Sequence, residues 1–471
     1  MAVIQFASRS YFHPSLPISA QHAVNMFAEK QPPDAKTPVA LLGCPGLIEF
    51  ANLAGSRVRG FTVMGGVLYA VGDTTLYSVS SAGVVTALGG AVSGTDPVSM
   101  DNNGTQISIV NGTNGYIYSV AAGFTLISDA DFEAAKTVRF FNQRFVFDET
   151  GTGRIRISDS LDGTSHQALA FSTAESRPDN VMAVEVLGQI LYVLGEKTIE
   201  LYHDVGAPNF PFERIPGAVV ERGIASSLCV AKEDNAIFTL GDDKQFYRVS
   251  GQQMQRASDH GAEWSWEGYA AISDAFAFGW TFSGHKFVTV TFPTANKTWT
   301  LDISTGIWHE RESHDSNGNS LGRWRANCYA ECYGKKLVGD AFSGKIGYMD
   351  EDTFTEFGNQ MIGLAAAPPI HSDRSRVFHR RIELDVESGV GIEGSGQGSD
   401  PQIMLDYSDD GGRTYSSRQM WRSMGRSGQY RKRLRWLRMG QSRNRIYRVS
   451  VSDPVRRTIV AAHVDAKPGL S

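Results

Sequence analysis

The chain has 471 residues, of which 41% are apolar and 20% charged, too long for one small core and ordinary in balance for a folded chain of two or three domains. No run of about 18 apolar residues occurs, which argues against a membrane-spanning helix. The opening MAVIQFASRSYFHPSLP lacks a charged region before an apolar core, so no secretory signal is expected. The net charge of −5 is unevenly spread. Fourteen arginines and lysines between Arg413 and Arg457 face only Asp453, so that block is strongly positive and the remainder strongly negative. Cysteine is sparse (Cys44, Cys229, Cys328 and Cys332), which excludes a disulfide framework and fits a reducing cytosol.

Residues 1–55 are proline-rich and read as an irregular N-terminal segment containing VNMFAEK at 24–30 and LLGCPGLIEF at 41–50. From 56 to 365 one pattern recurs: an alternating apolar strand, a turn rich in Gly, Asp or Asn, and a second alternating strand. The copies begin near Gly65, Asn103, Asn142, Leu187, Asp234, Gly284 and Tyr333. In the first, Val67, Tyr69 and Val71 point one way, and Leu68 and Ala70 the other. Gly72-Asp73, Gly112-Thr113 and Gly241-Asp242 supply turns that tolerate positive φ. One hairpin cannot bury enough surface alone. Stacked copies at a period of roughly 40–50 residues point to a β-propeller of six or seven blades. Two β-sandwiches are the alternative arrangement. Helical signal is weak; the best candidate is DADFEAAKTVRFF at 129–141.

LAAAPP at 364–369 is expected to interrupt regular structure. Residues 366–471 then read as a basic C-terminal β-sandwich-like domain. Its long strands are FHRRIELDVES, QIMLDYSDDGGRTYSS, YRKRLRWLRM and RNRIYRVSVS, with a loop at 388–400. The fold class expected is therefore all-β.

Few motifs carry chemistry. Gly389, Gly391 and Gly394 have dinucleotide-fingerprint spacing, but Gly396, Gly398 and Pro401 follow where a phosphate-binding helix must start, so a loop is expected. Cys328 and Cys332 lack a second ligand pair at zinc spacing, although His309 and His314 lie upstream. No His-Glu-x-x-His, Gly-x-Ser-x-Gly or Walker lysine motif occurs. No catalytic residue, metal or cofactor is expected. SDDGGRTYS resembles the Asp-box of sialidases and related propellers, with Ser408, Asp410, Gly412, Thr414 and Tyr415 at matching positions and a weaker echo at 158–165. In that family the box stabilises a turn. It motivates the alternative function, a glycan-binding or glycan-cleaving propeller.

Within the basic block, Leu434 and Trp436 fall on one face of an expected strand, with Arg431, Arg433 and Arg435 on the other. Arg438, Arg443 and Arg445 extend the candidate contact set. Crowded like charges suit phosphates, met without sequence readout, or an acidic protein.

The chain resembles the packaged-DNA stabilisation proteins, or tail accessory factors, of short-tailed bacteriophages. The resemblance is carried by VNMFAEK, CPGLIEF, TAESRPDNVMAVEVLGQILYVLGEKTIELYH at 173–203, DYSDDGGRTYSSRQM and the arginine-rich strands up to Val464. It implies a structural, non-enzymatic tail hub or nozzle subunit of the virion, assembled in the host bacterial cytoplasm as a homo-hexameric ring. Such a ring closes the virion after DNA packaging, stabilises packaged DNA and forms part of the ejection channel. The implied partners are a head-to-tail adaptor above and a tail needle, plug or distal tail protein below, in some phages tailspikes or fibres. Genomic DNA is near without being held specifically, and no membrane insertion is implied.

Overall fold

The computed structural model describes residues 2–4, 6, 9–16, 19–174, 177–372, 375–417 and 419–469. Each expected hairpin forms the second and third strands of a four-stranded antiparallel meander. Six meanders are continuous in sequence. They open with Val58–Met64, Ser99–Asn102, Val138–Phe141, Val181–Leu187, Val230–Glu233 and Phe276–Phe282. A seventh, Ala326–Cys332, Lys335–Asp340 and Lys345–Asp350, takes its fourth strand, Gly46–Asn52, from the N-terminal segment. The first strands touch one another in chain order, and Ala326–Cys332 packs against Val58–Met64, so the sheets close into a ring. This is the propeller that the hairpin spacing predicts.

Strand alternation explains how the ring is glued. Leu68 and Ala70 enter one inter-sheet core with Val58, Leu337 and Ile346. Tyr69 and Val71, on the opposite face, enter the next core with Ile107 and Tyr116. A sheet between two neighbours buries both faces, so each strand is apolar at successive positions. The turns follow suit: φ is +45° at Asp73 and +89° at Gly112. At 241–245 the positive φ instead falls on Lys244, and Gly241 is required because a Cβ there would lie 2.7 Å from the Tyr247 ring.

The C-terminal domain is a β-sandwich. One sheet orders Met26–Lys30, Val39–Gly43, Thr458–Pro468, Val377–Val386 and Leu434–Leu437; the other runs from Gly363–Ala366 through Asn444–Val451 and Gln402–Ser408 to Met420–Ser423. Ile382, Leu384, Leu434 and Trp436 meet Ile403, Leu405, Tyr447 and Val449 between them. Of YRKRLRWLRM only Leu434–Leu437 is strand, and the long closing strand Thr458–Pro468 is an addition to the expected set.

Three expectations are corrected. Residues 129–141 form no helix. Asp129 accepts from the Asp131 and His166 amides, and Asp148 accepts from the Lys136 and Thr137 amides, which ties the backbone down before it can coil. Among the described residues the α-helix is His260–Glu267, capped by Asp259 and anchored by buried Trp266. The sequence 364–369 does not interrupt the fold at its start, since Gly363–Ala366 is a strand.

The N-terminal segment, expected to be irregular, is strand-rich. Ala20–Val24 pairs with Gly363–Ala366 and, through Val24 and Glu310, with Ile307–Arg311, so one sheet runs from the propeller into the sandwich. Asn25 then turns the chain at φ +54°, fully buried, and donates to the Glu312 and Ile362 carbonyls at 2.8 and 2.9 Å. Alanine there would remove the donor to two part-buried carbonyls and strain the backbone. Asn25→Ala is expected to lower stability by about 2–3 kcal/mol, read as a shifted urea midpoint; an unchanged midpoint would remove Asn25 from this role.

Candidate interaction surface and propeller axis

The basic block divides into an internal and an external set. Arg445, in the candidate contact set, is buried, with 2% of its surface exposed. Its guanidinium grips Asp409 through two bonds of 2.6 and 2.7 Å, donates to the Met439 carbonyl and lies 3.9 Å over the Tyr407 ring. Arg448 grips Asp406 and covers Tyr415 at 3.7 Å. Arg457 is buried and donates to the Phe354 and Asp453 carbonyls. Asp406 and Asp409 lie on or beside the strand facing Asn444–Val451, so a count along the sequence misses them. Arg418 lies outside the described residues.

The external set gathers at the sandwich edge formed by Met420–Ser423 and Leu434–Leu437. Leu434 and Trp436 point into the core and Arg435 out, as alternation requires. Arg431 and Arg433 are exposed but precede the strand, so they do not continue its row. Arg433 is engaged by Glu383 at 2.7 Å. Arg438 is exposed at φ +57°, and Arg443 is exposed beside the short strand Gln441–Ser442. Arg422 closes the open side of the sandwich by donating to the Arg435 carbonyl at 2.8 Å, while Trp436 Nε1–H donates to the Met420 carbonyl at 2.9 Å. Beside these cations Trp421, Tyr430 and Leu437 are 57, 73 and 63% exposed. The loop at 388–400 supports the turn that carries Tyr430: a Cβ on Gly389 would lie 2.7 Å from the Tyr430 ring. This basic edge with outward apolar side chains was legible only in its charge.

The Asp-box residues form a self-contained turn. Ser408 Oγ donates to Asp410 at 2.7 Å and accepts from the Gly412 amide at 2.8 Å. Asp410 also accepts from the Arg413 and Thr414 amides and the Thr414 hydroxyl. The Thr414 donors, with Ser408, hold its carboxyl far below the usual range. Tyr415 leaves the turn under Arg448. In the echo at 158–165, Asp162 likewise accepts from the amide and hydroxyl of Thr164.

Along the propeller axis lie two adjoining cavities, of about 360 and 720 Å³, that share Pro97, Leu228, Phe276 and Asn327. Glu185 crosses the smaller one. It accepts from Arg139 at 2.7 and 2.8 Å and from Lys232 at 3.0 Å. Burial alone would raise its carboxyl; Arg139 and Lys232 outweigh that and hold it at about 2. The three residues come from successive sheets, so no local motif announces them. Elsewhere, Cys332 reaches the Gly66 carbonyl, and burial, with Arg311 beside it, pushes His309 down to about 3. Among the described residues no three His, Cys, Asp or Glu side chains are grouped to hold a metal.

A closed β-propeller joined by a shared sheet to a β-sandwich defines the class, a two-domain propeller–sandwich protein. Family models described as the β-propeller and the β-sandwich of bacteriophage P22 Gp10 match residues 16–354 and 364–467. The chain belongs to this family of phage tail hub proteins, the same one the motif resemblance indicates. The tail hub protein gp10 of Salmonella phage P22 is 23% identical over 401 residues, covering 78% of this chain and 80% of that protein. Among solved structures, the WD40 β-propeller domain of Doa1 is similar at a TM-score of 0.41 and 11% identity, over 65% of this chain and 97% of its own. The computationally designed Ika8 protein reaches 0.36 at 12% identity, over 64% and 99%.

Removing the axial carboxylate leaves half-buried Arg139 and exposed Lys232 without their shared buried partner. Glu185→Gln is expected to cost about 2–3 kcal/mol at pH 7, measured by urea unfolding. Because the folded-state carboxyl sits below its unfolded value, Glu185 stabilises above pH 4.5 and loses that contribution as pH falls toward 2. The variant should lack this part of the acid dependence, and an unchanged acid profile would count against the assignment.

Proposed function

We propose that the chain is one subunit of a homo-hexameric tail hub. The ring closes the virion after packaging, stabilises the packaged DNA and forms part of the ejection channel. The head-to-tail adaptor lies above it, and the needle, plug or other distal tail proteins lie below, with tailspikes or fibres at its side in some phages. Its role is structural and not enzymatic, and it assembles in the host cytoplasm. The axis of each propeller has room for small molecules and is crossed by the Arg139–Glu185–Lys232 bridge. A duplex therefore has to pass between copies, which supports a ring with the channel at its centre. A ring interface is heterologous and closes by rotation.

The observation that carries the docking part of this reading is the exposed basic edge of the sandwich, where Arg431, Arg435 and Arg438 stand beside Trp421 and Leu437. Cations with exposed apolar rings favour a protein hot spot, and a channel that gripped many phosphates would slow ejection. The basic edge therefore meets an acidic protein neighbour, with DNA contact secondary. The glycan alternative draws no support from the Asp-box, whose carboxylate is taken up by its own turn.

Arg431→Glu/Arg438→Glu leaves the core and the Arg433–Glu383 pair untouched, and it spares Arg435, which stands opposite Glu383 in the strand register. Its attachment to adaptor-bearing heads, followed by sedimentation, should fall at least about tenfold, the loss of roughly 1.4 kcal/mol, with the monomer's melting unchanged. Normal attachment would refute the docking assignment.

A further inference from the structure

Residues 56–365 hold 36 Asp and Glu against 23 Lys and Arg, so two propellers laid side by side repel each other. One stretch escapes this. The 55 residues 74–128 hold two charges, Asp96 and Asp101, in a chain that is 20% charged. Both carboxylates line the axial cavities. The outer strands and turns built from this stretch therefore carry no charge at all.

Those outer strands are Val85–Gly90 and Gly123–Leu126, the last of the first and second sheets, each paired on one side only. The two lie against one another, since a Cβ on Gly89 would stand 2.6 Å from Phe124 Cβ. The uncharged surface thus crosses from one sheet to the next. Val84, Val120 and Leu126 project from it, 63, 78 and 53% exposed. Open strand edges are ordinarily guarded by charged side chains. The last strands of the third, fourth and fifth sheets follow that rule with Asp162, with Glu213 and Arg214, and with Arg256. The first two sheets do not. A register shift between Ala87 and Gly89 discourages the addition of a further strand, which leaves side-chain contact as the way to cover the surface.

Exposed aliphatic side chains without charge are the composition of an interface core. A nucleic acid finds no cation here, and an acidic protein no opposite charge. A second copy of this chain fits, because an uncharged flank approaches the acidic propeller beside it without like-charge repulsion. The flank shares no residue with the basic edge of the sandwich. On the reading of the chain as a ring subunit, we propose that the flank at 84–90 and 120–126 is one side of the contact between neighbouring copies, buried against the next copy in the ring.

A charge of either sign placed in an apolar contact must be desolvated, whereas in an electrostatic contact the two signs act oppositely. Val120→Glu/Leu126→Glu and Val120→Lys/Leu126→Lys are therefore compared with the unaltered chain in binding to adaptor-bearing heads. Sedimentation reads the copies bound per head and the steepness of the binding curve. The unaltered chain should fill the ring cooperatively to six copies. Both variants should keep the monomer's melting curve, lose cooperativity and need a concentration at least about tenfold higher for half-filling. Val120→Glu alone, at the most exposed of the three positions, is the second variant should a double one fail to fold. Failure of the unaltered chain to reach six copies would overturn the ring reading and this contact together. Six copies filled as steeply by both variants would overturn the contact alone. Opposite responses to Glu and Lys would also overturn it, because they mark an electrostatic contact.

Discussion

The pairing of Gly46–Asn52 with Lys345–Asp350 is the contact on which the architecture depends. Without it the last sheet has three strands, and Leu47, Ala51 and Leu53 are missing from the two cores beside that sheet. The loop it closes spans about 300 residues, but the entropy of closure grows only with the logarithm of length. Its cost is therefore modest beside the apolar cores that the closed ring completes.

That one segment also makes the seam. Before reaching the ring, the N-terminal chain lays Ala20–Val24 in one sheet of the sandwich and Met26–Lys30 and Val39–Gly43 in the other. The two domains are thus joined by shared sheet rather than by a tether. The seam is also polar. Arg311 and Arg325 lie near Glu356, all buried, and Arg457 donates to a backbone carbonyl there. His285 bridges Asp302 and Glu29 across the same boundary. Such groups need defined geometry to be satisfied, so the relative placement of the domains is specified by chemistry as well as by shape.

What could be read in the sequence follows the range of each interaction. The hairpins were legible because both strands and their turn lie within about twenty residues, where period-2 alternation is visible. The strand Gly46–Asn52 was not, because its partner is distant and nothing around Pro45 signals pairing. The arginine block was legible as charge but not as placement: Arg445 and Arg448 are neutralised by Asp409 and Asp406 across a strand pair. The Ala- and Glu-containing stretch near 133–136 suggested a helix, and Asp148, twelve residues away, overrode it. The axial bridge had no signature, since Arg139, Glu185 and Lys232 come together only when their three sheets stand side by side.

The sheet that begins at Phe276–Phe282 and ends at Met420–Ser423 has a mechanical meaning. A pull applied at the outer edge of the sandwich is carried along rows of backbone hydrogen bonds into the wall of the propeller. The two halves of the sheet meet at the single pair Val24 and Glu310, beside which the Asn25 amide donates to the Glu310 carbonyl at 2.9 Å, so a tilt of the sandwich reaches the propeller through one narrow seam.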